Sequence, residues 1–163
     1  MLKNSEHFII KAPVKGRVIA LKNLPDEVFA GGMVGNGIAI EPLEDVFLSP
    51  ICGYIEEIFP TGHAFLLRSM EGVNLLIHIG IDTVKLNGCG FDVLVNKNAK
   101  IKEGDPLVKI DLEFIKREAK SSFTPLVLPD GQIPVILVRE GAIVDRGQQL
   151  MAVKRTVPLA GLF

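Results

Sequence analysis

The sequence has no tryptophan, one tyrosine, three histidines and two cysteines in 163 residues. Its 18 basic and 19 acidic residues leave a formal charge of -1, and no basic block runs along the chain. A nucleic-acid binder needs a basic face and usually rings for base stacking, so that class is excluded. No apolar run approaches the ~18 residues of a membrane span, so membrane insertion is not expected. The opening MLKNSEHFII lacks the long apolar stretch of a secretory signal peptide. Cys52 and Cys89 fit neither a metal-ligand spacing nor a disulfide framework. A reduced, cytoplasmic protein is the expectation.

A nucleotide fingerprint is missing too. The glycine cluster AGGMVGNG, Ala30 to Gly37, satisfies neither GxxxxGK[ST] nor GxGxxG, which argues against direct use of ATP. It reads instead as a turn leading into GIAIEP.

What the chain does have is short apolar runs cut by 16 glycines and 10 prolines. GRVIAL, GIAIEP, GYIEEIF, HAFLLRS, NLLIHIG, FDVLVN and IPVILV read as strands of an all-β sandwich or barrel. One short helix is predicted over Asp111–Lys120. Asp111 is placed to cap it, Leu112, Ile115 and Ala119 share a face, and Lys116, Arg117 and Lys120 lie toward its C-terminal end. A chain of this length forms one domain burying about two-thirds of its unfolded surface. Residues 1–8 read as an N-terminal tail and 154–163 as a C-terminal one, and the initial Met1 favours a free-standing protein.

The chain also repeats itself. APVKGRVI (Ala12–Ile19) matches SPICGYIE (Ser49–Glu56), and IKEGDPLVKI (Ile101–Ile110) matches VDRGQQLMAV (Val144–Val153). Two different motifs, each used twice, predict a structural duplication: two interlocked β-halves closing one sandwich.

The chemistry lies in LLIHIGIDTV and TGHAF. If HAFLLRS and NLLIHIG form a hairpin with a two-residue turn at Glu71-Gly72, Phe65 falls opposite His78 and His63 opposite Gly80. Alternation then puts His63 and His78 on one face as diagonal neighbours, about 7–8 Å apart at Cα. Two imidazoles on an apolar face suit either a metal site or group transfer through a histidine nucleophile. A catalytic zinc wants three protein ligands, and the remaining histidine, His7, reads as a solvated tail residue. Phosphoryl transfer is better supplied. Neutral imidazole is nucleophilic, a second imidazole can donate to phosphoryl oxygens, and Thr61 can fix that ring's tautomer. Apolar surroundings exclude the water that would hydrolyse an N–P bond. With no nucleotide site, the phosphoryl group should come from another phosphoprotein.

APVKGRV, LPDEVFAGGMVGNGIAI, SPICGYIEEIFPTGHAF, LLIHIGIDTVKLNGCGF and VKIDLEFIKREAKSSFTPLV together resemble the glucose-type IIA component of the bacterial phosphoenolpyruvate–sugar phosphotransferase system, from about Ile9 to Val153. The resemblance implies an antiparallel β-sandwich of barrel-sandwich-hybrid type. It implies that His78 takes a phosphoryl group on Nε2 from the phosphocarrier protein HPr and passes it to a cysteine of the IIB domain of a sugar permease. His63 matches the histidine that supports donation without being phosphorylated, and Thr61 the threonine that orients it. Asp26 and Asp82 match acids flanking the site, placed to meet basic groups on partners. Phe29, Val34, Phe59, Phe65 and Val84 match an apolar docking collar.

The chain departs from that pattern in places. Leu76 and Ile79 stand where relatives often have aromatics, Cys89 in NGCGF reads as a loop residue, and KRTVPLAGLF does not look like the usual closing strand. No cofactor is required beyond the transient phosphoryl group. A regulator whose phosphorylation state is read by target proteins coexists with this reading, as does a zinc bridging His63 and His78 and completed by a partner's carboxylate. A zinc peptidase-like domain would need more histidines. A biotinyl- or lipoyl-type carrier would need a Met-Lys-Met hairpin that is absent.

Overall fold

The computed structural model describes residues 6–155. In chain order its strands are β1 (His7–Lys11), β2 (Gly16–Ile19), β3 (Asn36–Pro42), β4 (Val46–Leu48), β5 (Gly53–Ile58), β6 (Ala64–Ser69) and β7 (Asn74–His78). They continue as β8 (Phe91–Val93), β9 (Lys100–Ile101), β10 (Pro106–Ile110), β11 (Thr124–Leu128), β12 (Val135–Ile136), β13 (Ile143–Val144) and β14 (Gln149–Lys154). Helix α1 (Glu27–Ala30) lies between β2 and β3, and α2 (Leu112–Glu118) between β10 and β11. An eight-stranded antiparallel sheet runs β13-β2-β3-β11-β7-β6-β5-β9, and two three-stranded sheets run β1-β14-β12 and β4-β10-β8. The arrangement is the predicted antiparallel sandwich of hybrid type, and the large sheet does not close into a barrel.

The sequence repeat is a structural one. The first copy of one motif pairs with the second copy of the other. β2 joins β13 through Gly16↔Val144, and β5 joins β9 through Gly53↔Ile101. Loop bonds recur in the same places. Ala12 N donates to Gln148 O at 2.8 Å, and its counterpart Ser49 N donates to Asp105 O at 2.7 Å. The halves also hold each other: Lys11 N donates to Pro50 O and Leu48 N to Pro13 O. Glycine is required where each motif enters the sheet. A Cβ on Gly16 would stand 2.3 Å from Glu41 O, and one on Gly53 would stand 1.9 Å from Arg68 O.

Apolar residues from all three sheets form one core, with Ile10, Phe47, Ile55, Phe65, Leu67 and Leu126 fully buried. Helix α2 forms where its sequence predicts but ends at Glu118, with Ala119 as an extended C-cap and Lys120 beyond it. The Asp111 carboxylate accepts from Phe114 N at 3.1 Å, while Leu112 and Ile115 are buried against the core.

Four expectations are corrected. His7 and Phe8 belong to β1 rather than to an N-terminal tail, because Phe8 and Ile10 alternate inward and β1 pairs with β14 through His7↔Lys154; residues 1–5 lie outside the described part. His7 is therefore a strand residue with a buried Nδ1, not a solvated one. Lys154 is the last residue of β14 rather than the first of a tail; residues 156–163, where the rest of that expectation falls, lie outside the described part. The helix near 112–120 is joined by the single turn of α1, which Asp26 caps by accepting from Phe29 N.

Candidate functional site

The two histidines sit at the open end of the β6–β7 hairpin. The turn holds three residues, Met70 to Gly72, rather than two. Ser69 N donates to Val73 O at 2.8 Å, and Gly72 takes φ +81°, the left-handed conformation that closes such a loop. The register is consequently one residue from the expected one: Ala64 faces His78, Phe65 faces Ile77 and Leu67 faces Leu75. Strict alternation would now send His63 and His78 to opposite faces. His63 escapes it because it precedes the first residue of β6 and follows Gly62 at φ +73°, before the pleat begins. The rings meet, with centroids 4.9 Å apart and planes at 78°.

Each ring is held at Nδ1 from two residues away. The Thr61 hydroxyl and His63 Nδ1 share a hydrogen bond. His78 Nδ1 donates to Gly80 O at 2.8 Å, which commits its proton to that nitrogen and leaves the lone pair on Nε2. Gly80 takes φ +76°, and a Cβ there would lie 2.4 Å from Thr83 Cγ2 and 2.9 Å from Ser121 O. Aromatic rings flank the pair on both sides. Phe29, carried by α1, stands 5.0 Å from His78, and Phe59 lies edge-on to His63 at 5.8 Å.

The surroundings keep both imidazoles neutral near pH 7. His63 is buried, and that burial together with the nearby His78 pushes its pKa down to about 4. His78 is also lowered, because burial outweighs the Gly80 carbonyl, Asp26 and Asp82, all of which favour its charged form. A neutral, oriented imidazole with Nε2 unprotonated can attack an electrophile, and a neighbouring imidazole can bind the charge that develops.

The remaining predicted residues divide. Asp26 is half-buried and caps α1, accepting from Phe29 N at 2.9 Å, so it positions the ring over His78. Asp82 begins a 3-10 turn in the left-handed conformation and lies 3.7 Å from Lys85 Nζ. Phe59 and Val84 are exposed, while Phe29 and Val34 are half-buried. Phe65 is not on this surface. It is fully buried against the core, because the observed register turns it toward Ile77. Cys89 is an exposed loop residue, as read. Val28 on α1 and Met33 in the turn that follows it are exposed apolar residues that sequence reasoning did not single out, at 47% and 80% exposure. The signal was the Asp26 cap in PDEVF, which defines a turn with an outward face. Sequence reasoning also missed the Gly80 carbonyl as the partner of His78, since a backbone acceptor leaves no mark on composition.

Among the described residues, no three His, Cys, Asp or Glu side chains are grouped to hold a metal ion. Nor is any described helix long and apolar enough to cross a membrane.

Comparison with known proteins agrees with this geometry. Residues 8–133 match the family described as phosphoenolpyruvate-dependent sugar phosphotransferase system, EIIA 1. The chain belongs to that family. It is 42% identical over 146 residues to the PTS system glucose-specific EIICBA component of Staphylococcus carnosus (strain TM300), covering 90% of this chain and 22% of that protein. The chain thus spans about a fifth of the length of that relative. Among solved structures, glucose permease IIA from Mycoplasma capricolum superposes with a TM-score of 0.85 at 34% identity, over 93% of this chain and 99% of that one.

Proposed function

We propose that this chain is a cytoplasmic phosphocarrier that takes a phosphoryl group from phospho-HPr on Nε2 of His78 and passes it to a cysteine of a glucose-class IIB domain. The observation that carries the reading is the Nδ1–Gly80 hydrogen bond, which aims the only free lone pair of a neutral ring outward from Nε2. In the first step the P–N bond of the donor breaks as Nε2–P forms on His78. In the second, Nε2–P breaks as the IIB thiolate takes the phosphorus, and the imidazole returns neutral with its proton on Nδ1.

His63 is the electrostatic partner in this scheme. With the Thr61 hydroxyl donating to Nδ1, its proton sits on Nε2, where it can bind a phosphoryl oxygen as charge develops in the transition state of onward transfer. Its depressed pKa supports a hydrogen-bond donor rather than an acid, since it stays neutral throughout the physiological range. The docking surface is the ring of Phe29, Val34, Phe59 and Val84 around His78, with Asp26 and Asp82 facing basic groups of the partners. A zinc here would take only His63 and His78 from this chain and would need a partner's carboxylate to complete it.

Incubation with phosphoenolpyruvate, enzyme I and HPr tests the proposal. Label that is acid-labile, base-stable and absent from His78→Ala is the expected result. Folded wild-type protein that takes no label from phospho-HPr would sink it.

A further inference from the structure

The turn after His78 contains a side chain that the phosphocarrier reading does not use. Thr83 is fully buried, and its hydroxyl donates to Ile79 O at 2.6 Å, four residues back. Its methyl fills the space beside Gly80 where a Cβ would otherwise stand. Ile81 N donates to Ser121 O at 2.8 Å, which fixes the Gly80–Ile81 peptide, the plane that carries the Gly80 carbonyl. The preceding Ile79–Gly80 peptide is held by the Thr83 hydroxyl. Gly80, at φ +76°, is therefore a hinge between two anchored peptide planes, and its own carbonyl is the one that receives His78 Nδ1–H. Only the Thr83 anchor belongs to a side chain; the other is backbone to backbone.

We propose that Thr83 is a positioning residue for the phosphoryl-accepting ring. Its hydroxyl fixes the Ile79–Gly80 peptide and so holds the Gly80 carbonyl against Nδ1 of His78. The tautomer with Nε2 unprotonated is thereby selected from a position that touches neither the ring nor the phosphoryl group. The inference rests on the reading of His78 as acceptor, but its most direct readout does not.

That readout is the ¹⁵N spectrum of the His78 ring at neutral pH, recorded on wild type, Thr83→Val and Thr83→Ser. Wild type should show Nδ1 protonated and Nε2 bare. Thr83→Val keeps the shape and removes the donor. It should mix the two tautomers and slow phosphoryl acceptance roughly ten-fold or more, with KM for phospho-HPr unchanged. Thr83→Ser keeps the hydroxyl and should retain the wild-type ring signature, with transfer within about two-fold of wild type. A folded Thr83→Val with wild-type ring shifts overturns the inference. So does a folded Thr83→Ser that loses the signature, which keeps the test open should the valine variant fail to fold. Failure of wild type to take label on His78 would instead remove the phosphocarrier reading, while the tautomer comparison would still decide the role of Thr83.

Discussion

The rings of His63 and His78 stand 4.9 Å apart, each held at Nδ1 by a group two residues away along the chain: the Thr61 hydroxyl for His63, the Gly80 carbonyl for His78. One holder can donate, and the other can only accept. The two imidazoles are therefore not equivalent, and the asymmetry supports the proposed division of work between them. The ring facing a carbonyl must keep its proton at Nδ1 and present a lone pair. The ring facing a hydroxyl can present a donor.

That division predicts unequal effects of mutation. His63→Gln should still be phosphorylated on His78 but pass the group to a IIB domain roughly 100-fold more slowly, the usual loss when one charge-stabilising donor is removed. His78→Ala should accept nothing. Rapid-quench measurement of the forward and onward steps separates the two. Equal loss of both steps in His63→Gln and His78→Ala would contradict the division.

The pH dependence follows from the direction of both shifts. His78 titrates below its ordinary value near 6.5, so phosphoryl acceptance should be flat around neutrality and fall only as Nε2 becomes protonated in more acidic solution. His63 titrates at about 4 when folded and near 6.5 when unfolded, so between those values the unfolded chain binds more protons. Its contribution to stability is then fully present above about pH 6.5 and lost as pH falls toward 4, up to ~3 kcal/mol in all. Urea unfolding should show wild type losing stability relative to His63→Gln as pH falls from about 6.5 toward 4, since the variant has no such group to protonate. Parallel curves would contradict the burial of a neutral His63.

Asp26 acts twice, and two substitutions separate the roles. Asp26→Ala removes the acceptor for Phe29 N and should cost about 1 kcal/mol while loosening Phe29 from His78. Asp26→Asn keeps a capping oxygen and should leave stability within about 0.5 kcal/mol of wild type. Both remove the carboxylate that favours charged His78, so in both the pKa of His78 should fall further by NMR titration.

Phe65 and Phe59 make a direct contrast between core and rim. Phe65→Ala empties a fully buried position and should destabilise the fold by about 3–5 kcal/mol. Phe59→Ala, at an exposed site, should leave stability nearly unchanged but raise KM for phospho-HPr. Thermal unfolding and transfer kinetics on both variants test the assignment.

Much of this molecule was legible because its signals are local. Asp111 with its apolar i, i+3 pattern gave α2, and the doubled motifs at Gly16 and Gly53 gave the interlocked halves. The histidine pair was found through a register one residue out, because Glu71-Gly72 reads as a two-residue turn while Gly72 in fact closes a three-residue one. That slip put Phe65 on the face of the histidine pair, in agreement with the docking collar that the family resemblance implied, whereas it is fully buried. β1 was read as tail because HFIIK shows its alternation only once β14 supplies a partner, nearly the full chain away. Central β11 was not among the runs read as strands, since Pro125 interrupts a short segment whose character comes from β3 and β7 on either side.

The most direct test of the central claim is where the phosphorus sits. A ¹⁵N,³¹P NMR spectrum of histidine-labelled protein, phosphorylated through enzyme I and HPr, distinguishes the two ring nitrogens. The expected result is a phosphoryl group on Nε2 of His78, with Nδ1 still protonated and bonded to the Gly80 carbonyl. Phosphorus on Nδ1 of His78, or on His63, would contradict it.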